Sequence, residues 1–158
     1  MAVLLAGSMA SGRASDLTIR FTGQFVTSTC AVSIPDIDLG TYPAAAFTGS
    51  YQTYWVWSTV AAPNCTPDIT TIHMKFTGTP DSTNNQLFKV VPVAGQGNIA
   101  GVAIELSTGT ARITPNGTID WQLGVGSTSY PISARFSQTS AVTPGVTKTP
   151  ITVQFTYN

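Results

Sequence analysis

Charge is scarce in this sequence, and the little there is cancels. Seven basic and seven acidic side chains among 158 residues give a formal net charge of zero, with 9% of residues charged. Such a balance offers no electrostatic pull toward nucleic acid or an acidic membrane surface. Histidine is limited to His73 and cysteine to Cys30 and Cys65. Metal sites and most catalytic constellations draw on those residue types and are poorly supplied here. The seven carboxylates are scattered, without the paired acid and base of a glycosidase. Asp36 and Asp38, in PDIDLG, lack the oxygen-rich spacing of a calcium loop and read as a solvated turn. His73 sits between Ile72 and Met74 with no Ser-x-Gly elbow or second ligand nearby, and reads as structural. The sequence therefore predicts no enzyme, no cofactor, no metal and no small-molecule substrate. Long apolar runs are missing too: the longest lies within residues 1–10 and is too short to span a bilayer.

Hydrophobic residues make up 42% of the chain, and the length suits one domain with a sizeable core. The opening MAVLLAGSMASGRA reads as the end of a secretory signal over residues 1–14. Val3, Leu4 and Leu5 supply the apolar patch, and Gly12 and Ala14 the small residues before a cleavage point. A basic segment ahead of the patch is missing, and Arg13 is unusual in that position; a tag or loose terminus is the other reading. In an exported domain, Cys30 and Cys65 most simply form one disulfide. Two buried free thiols are the alternative for a chain that stays in the cytosol.

The dominant period is two. Leu17, Ile19, Phe21, Gly23 and Phe25 alternate with polar residues, as do Ile151, Val153, Phe155 and Tyr157. Further strand-like runs cover residues 52–60, 69–77, 86–93, 101–106, 119–125 and 130–137. Turn clusters such as Thr79-Pro80-Asp81, Pro115-Asn116-Gly117 and Pro144-Gly145 separate them. No window longer than ten residues holds an uninterrupted helical stripe. Seven or eight short strands at this spacing predict an all-β, immunoglobulin-like sandwich. One segment stands apart. Residues 15–26 form a long alternating arm ahead of Cys30, with Asp16 and Arg20 as its only charges. Left exposed, such a strand is a pairing template. It is either a strand in search of a partner or an ordinary first strand of its own sheet.

The arm SDLTIRFTGQFV followed by TSTC resembles the mature N-terminus of chaperone-usher pilus subunits, most closely the minor adaptor subunits of type 1 fimbriae. The similarity runs through nearly the whole mature chain. VSIPDIDLG, Asn64-Cys65, MKFTG, AGVAIEL and Ser133-Ala134-Arg135-Phe136 follow in family order. Tyr157 is penultimate and Gly145 stands fourteen positions from the end, the paired signature of these subunits. The resemblance implies an incomplete immunoglobulin-like β-sandwich lacking its last strand, completed by a donor strand from a partner. Residues 1–14 would be the signal, 15–28 the N-terminal donor-strand extension and 29–158 the pilin domain. Leu17, Ile19, Phe21, Gly23 and Phe25 would enter the groove of a neighbouring subunit. Gly145, Ile151, Val153, Phe155, Tyr157 and Asn158 would border this chain's own groove and meet the chaperone, which would hold the Asn158 carboxylate. The implied partners are a periplasmic pilus chaperone, an outer-membrane usher and neighbouring pilus subunits. The implied location is an extracellular pilus on a Gram-negative cell, reached through the periplasm and supporting cell adhesion.

A major shaft pilin is the first alternative, differing in copy number more than in chemistry. A secreted carbohydrate-binding domain is the second. Its support is the cluster Tyr51, Tyr54, Trp55 and Trp57, because Trp is costly to expose without purpose. Alternation places Trp55 and Trp57 on one face and Tyr54 and Val56 on the other, so that one of the faces is free to be core.

Overall fold

Alternating side chains account for the ordered elements, which divide between two antiparallel sheets. The computed structural model describes residues 29–124 and 127–158. Its strands are β1 (Val56–Ala61), β2 (Thr71–Thr77), β3 (Phe88–Lys89), β4 (Ala100–Ser107), β5 (Arg112–Ile113), β6 (Thr118–Gln122), β7 (Ser129–Thr143) and β8 (Thr152–Tyr157). A short 3-10 turn at Ala44–Ala46 is the sole helical element among the described residues. One sheet runs β1-β7-β4-β3, with β5 also on β4; the other runs β6-β2-β8.

The core lies between the sheets. Ile72, Met74 and Phe76 point inward from β2, and Val102, Ile104 and Leu106 from β4, all nearly inaccessible. Trp121 on β6 tilts against Tyr130 on β7, their rings 5.6 Å apart, and so ties one sheet to the other. Cys30 and Cys65 are bonded as a disulfide. It fastens the segment after residue 29 to the loop between β1 and β2.

Three of the expected strands differ in extent. The run expected at residues 52–60 becomes a strand only from Val56. The cause is Thr53: its hydroxyl, in place of a ladder carbonyl, accepts the Phe136 N–H at 3.0 Å, while its own N–H donates to the Phe136 carbonyl. That substitution breaks the alternation and turns Tyr54 outward, 86% exposed, so Tyr54 does not share the inward face of Val56. Residues 86–93 shrink to Phe88–Lys89, since Pro92 has no N–H for a ladder and makes only an isolated bridge to Thr147. The last long strand instead extends to Thr143, past a bulge at Gly101. Gly101 has φ +77°, and a Cβ there would fall 2.1 Å from the Ala141 carbonyl oxygen. Only glycine lets these two strands approach so closely.

Candidate functional site

Strand β8 is built from TVQFTY, whose period of two puts Val153, Phe155 and Tyr157 on one face and Thr152, Gln154 and Thr156 on the other. On β2, Phe76 stands opposite Val153, Met74 opposite Phe155 and Ile72 opposite Tyr157. The three β2 side chains are at most 1% exposed, whereas Val153 and Phe155 remain half-buried and Tyr157 is 38% exposed. The contrast has a plain cause. Among the described residues, β2 is flanked by β6 and β8, but β8 is an edge strand with a neighbour on one side only.

A cleft of about 990 Å³ opens along the stretch that leads into β8. One wall is the segment from Asp36 to Phe47, which presents Ile37 and Leu39; the other is the stretch from Val142 to Pro150 leading into β8. Ile99, Val102, Ile104 and Phe136 form its floor. The floor is therefore the sandwich core itself. The wall before β8 is pinned on its outer side: Val91 donates to Thr149 Oγ1 and accepts from Thr147 Oγ1, each at 2.8 Å, and Val93 donates to the Val146 carbonyl. Gly145 fits against the backbone of Gly97 and Ile99, where a Cβ would come within 2.5 Å of the Ile99 nitrogen. On the opposite wall Asp38 Oδ1 accepts the Gly40 N–H at 2.9 Å and closes a turn at φ +81°. At the far end of β8 the Tyr157 hydroxyl donates to the Cys30 carbonyl at 3.1 Å.

The two edges of the β6-β2-β8 sheet differ in charge. Asp120 guards β6, bonded to His73 Nδ1 at 2.6 Å. β8 carries no charged side chain along its length. Charge on an edge discourages strand addition, and β8 lacks that protection. His73 Nε2 meets the Asn158 side-chain amide at 2.9 Å, and Thr70 and Thr71 donate their N–H groups to the main-chain oxygen of Asn158. The histidine is thus held in a structural chain that anchors the end of β8.

Of the anticipated residues, Gly145 lines the cleft, Ile151 precedes β8, Val153, Phe155 and Tyr157 lie on the β8 face toward the core, and Asn158 follows its end. Leu17, Ile19, Phe21, Gly23 and Phe25 lie outside the described residues. Sequence reasoning missed the opposite wall, where Ile37 and Leu39 line the cleft. Their alternation, out of step with Val32 and Ile34 across Pro35-Asp36, was the available signal. The aromatic cluster divides: Tyr51 packs edge-on against Phe47 at 4.9 Å, Trp55 lies beneath Arg135, and Trp57 and Tyr54 are exposed.

Comparison with known proteins agrees with this geometry. The family described as Fimbrial protein matches residues 19–158. The chain is 32% identical over 138 residues to the type-1 fimbrial protein A chain of Salmonella typhi, covering 81% of this chain and 75% of that one. It is 31% identical over 139 residues to the fimbrial subunit type 1 of Salmonella typhimurium, with the same coverage. Among solved structures, the P pilus rod subunit PapA superposes with a TM-score of 0.69 at 17% identity, covering 89% of this chain and 99% of that one. A subunit from a chaperone-usher pilus structure superposes with a TM-score of 0.62 at 16% identity, covering 97% and 100%. The chain belongs to the fimbrial protein family, and its incomplete immunoglobulin-like sandwich is that of a chaperone-usher pilin.

Proposed function

We propose that this pilin polymerises by donor-strand exchange, its cleft beside β8 receiving an extended strand from a partner and its own residues 15–28 serving the preceding subunit. The observation that carries the reading is the uncharged edge of β8, unpaired among the described residues, at the end of the stretch that walls a cleft floored by core side chains. An incoming strand would complete the ladder with its backbone and fill the cleft with alternate side chains. Leu17, Ile19, Phe21 and Phe25 have the spacing for that task, each burial contributing about 1.5 to 3 kcal/mol before ordering costs. Gly23 would fit where two backbones come close. A chaperone strand would occupy the cleft in the periplasm, and at the outer-membrane usher the arm of another subunit would replace it. The assembled fibre would stand on a Gram-negative cell surface and support adhesion.

The test compares urea midpoints of residues 27–158 with and without residues 15–26 appended to the C-terminus through a flexible linker. A large rise supports strand acceptance; no change in an already stable domain overturns it. Within the pilus we place the subunit as a minor adaptor. Immunogold labelling confined to one point of the fibre supports that placement, and labelling along its length makes the chain a shaft subunit.

A further inference from the structure

The outer face of the β1-β7-β4-β3 sheet carries a flat aromatic surface that strand addition on the other side of the molecule does not use. Trp57 on β1 pairs with Ser133 on β7, which pairs with Ser107 on β4, which pairs with Arg112 on β5. Four side chains thus form one row across four strands. The outer carbons of the Trp57 six-membered ring reach the turn after β4, so near that a Cβ on Gly109 would lie 2.9 Å from them. To span that distance the indole must lie across β7, and Ser133 beneath it is 1% exposed. Ser133, Ser107 and Gly109 are small residues beside the ring, and Trp57 is 58% exposed.

The adjoining row supplies charge. Arg135 sits over the Trp55 ring at 4.1 Å and donates to Glu105 Oε2 at 2.8 Å. Arg112 donates to Glu105 Oε1 through Nε and Nη2, and to Gln86 Oε1 through Nη1. One carboxylate, 5% exposed, thus answers two guanidinium groups, and the Arg112 side chain is 40% exposed. Lys89, exposed and opposite Ala103, adds a third cation to the same face. A positive surplus beside an outward aromatic plane fits a ligand that is flat, hydroxylated and anionic.

We propose that this face binds an acidic saccharide, a pyranose ring stacking on Trp57 with a uronate carboxylate directed to Arg112. Trp57 and Arg112 are open to solvent, so the site suits an extended chain bound weakly. Only if the subunit proved a shaft pilin would a fibre repeat the face and let weak sites act together; the site itself does not rest on the polymer.

The test is an NMR titration of the indole resonances of the purified full chain. Its probes are a glucuronate-containing hyaluronan tetrasaccharide and neutral chitotetraose. The expected result is a shift of the Trp57 indole and the Gly109 amide with the acidic probe, weaker with the neutral one and diminished at high salt. Trp57→Ala should weaken binding about tenfold, and Arg112→Gln should remove the preference for the acidic probe. Absence of a shift with the acidic probe, equal response to both probes, or shifts located elsewhere each overturns the proposal. Concentration-dependent self-association that Trp57→Ala abolishes, without a saccharide shift, overturns it in favour of a protein contact. Shift mapping on the unaltered chain decides the matter if a variant fails to fold. Failure here leaves strand exchange untouched, since the urea comparison reads the opposite sheet.

Discussion

Glu105 is a buried carboxylate held between Arg112 and Arg135, with Trp55 stacked under the second guanidinium. Charge-assisted hydrogen bonds of this kind exceed neutral ones, and loss of the carboxylate charge leaves two cations side by side. Glu105→Gln should lower stability by about 2 kcal/mol, seen as a lower urea midpoint; an unchanged midpoint would show that solvent already screens the cluster. Gly145 gives a second case. A methyl group there meets Ile99 backbone at 2.5 Å, so Gly145→Ala should displace the wall before β8 and lower the yield of soluble subunit, while wild-type yield counts against this packing role. At this scale the sequence was only partly legible. Gly145 stood out through its spacing from the chain end, but its reason, a close approach to Gly97 and Ile99, depends on contacts far apart in the chain. Tyr54 was misassigned because the Thr53 hydroxyl replaced a backbone acceptor, which no hydrophobic pattern reveals.

Among the elements, β8 carries the clearest expectation. Phe155 lies opposite Met74 on the core side and, among the described residues, is paired from one flank only. Phe155→Asp should abolish capture by the periplasmic chaperone and lead to degradation; unchanged periplasmic level would remove β8 from the acceptor role. Phe21→Asp, in the arm, should leave the fold and the chaperone complex intact yet stop docking onto the preceding subunit, and normal incorporation into pili would argue otherwise. Strands β2, β4 and β8 were readable because each alternates without interruption against a single core. β5 escaped notice because two residues have no period, and Arg112 and Ile113 are in register only through their pairing with Ser107 and Leu106. The far wall of the cleft was harder still. Ile37 and Leu39 belong to no regular strand, and their role emerges from what stands across the gap.

For the whole molecule, the disulfide decides how firmly that far wall is held. In the loop-entropy account a closure of this length contributes about 4 kcal/mol, and Cys30 also supplies the carbonyl that accepts from Tyr157. Replacing both cysteines with serine should lower the urea midpoint accordingly. It should also weaken strand acceptance more than stability alone explains, measured as the midpoint rise on appending residues 15–26. An undiminished rise would mean that the wall holds its place without the covalent tie.

The Tyr157 to Cys30 contact also has a mechanical meaning. It ties the end of β8 to a residue that is itself covalently bonded to Cys65, in the loop that leads into β2. β2 is also the strand that β8 pairs with. Tension on the end of β8 is therefore shared between its ladder with β2 and a rivet to the chain just ahead of β2, so β8 cannot be peeled away at its end without also loading the covalent joint.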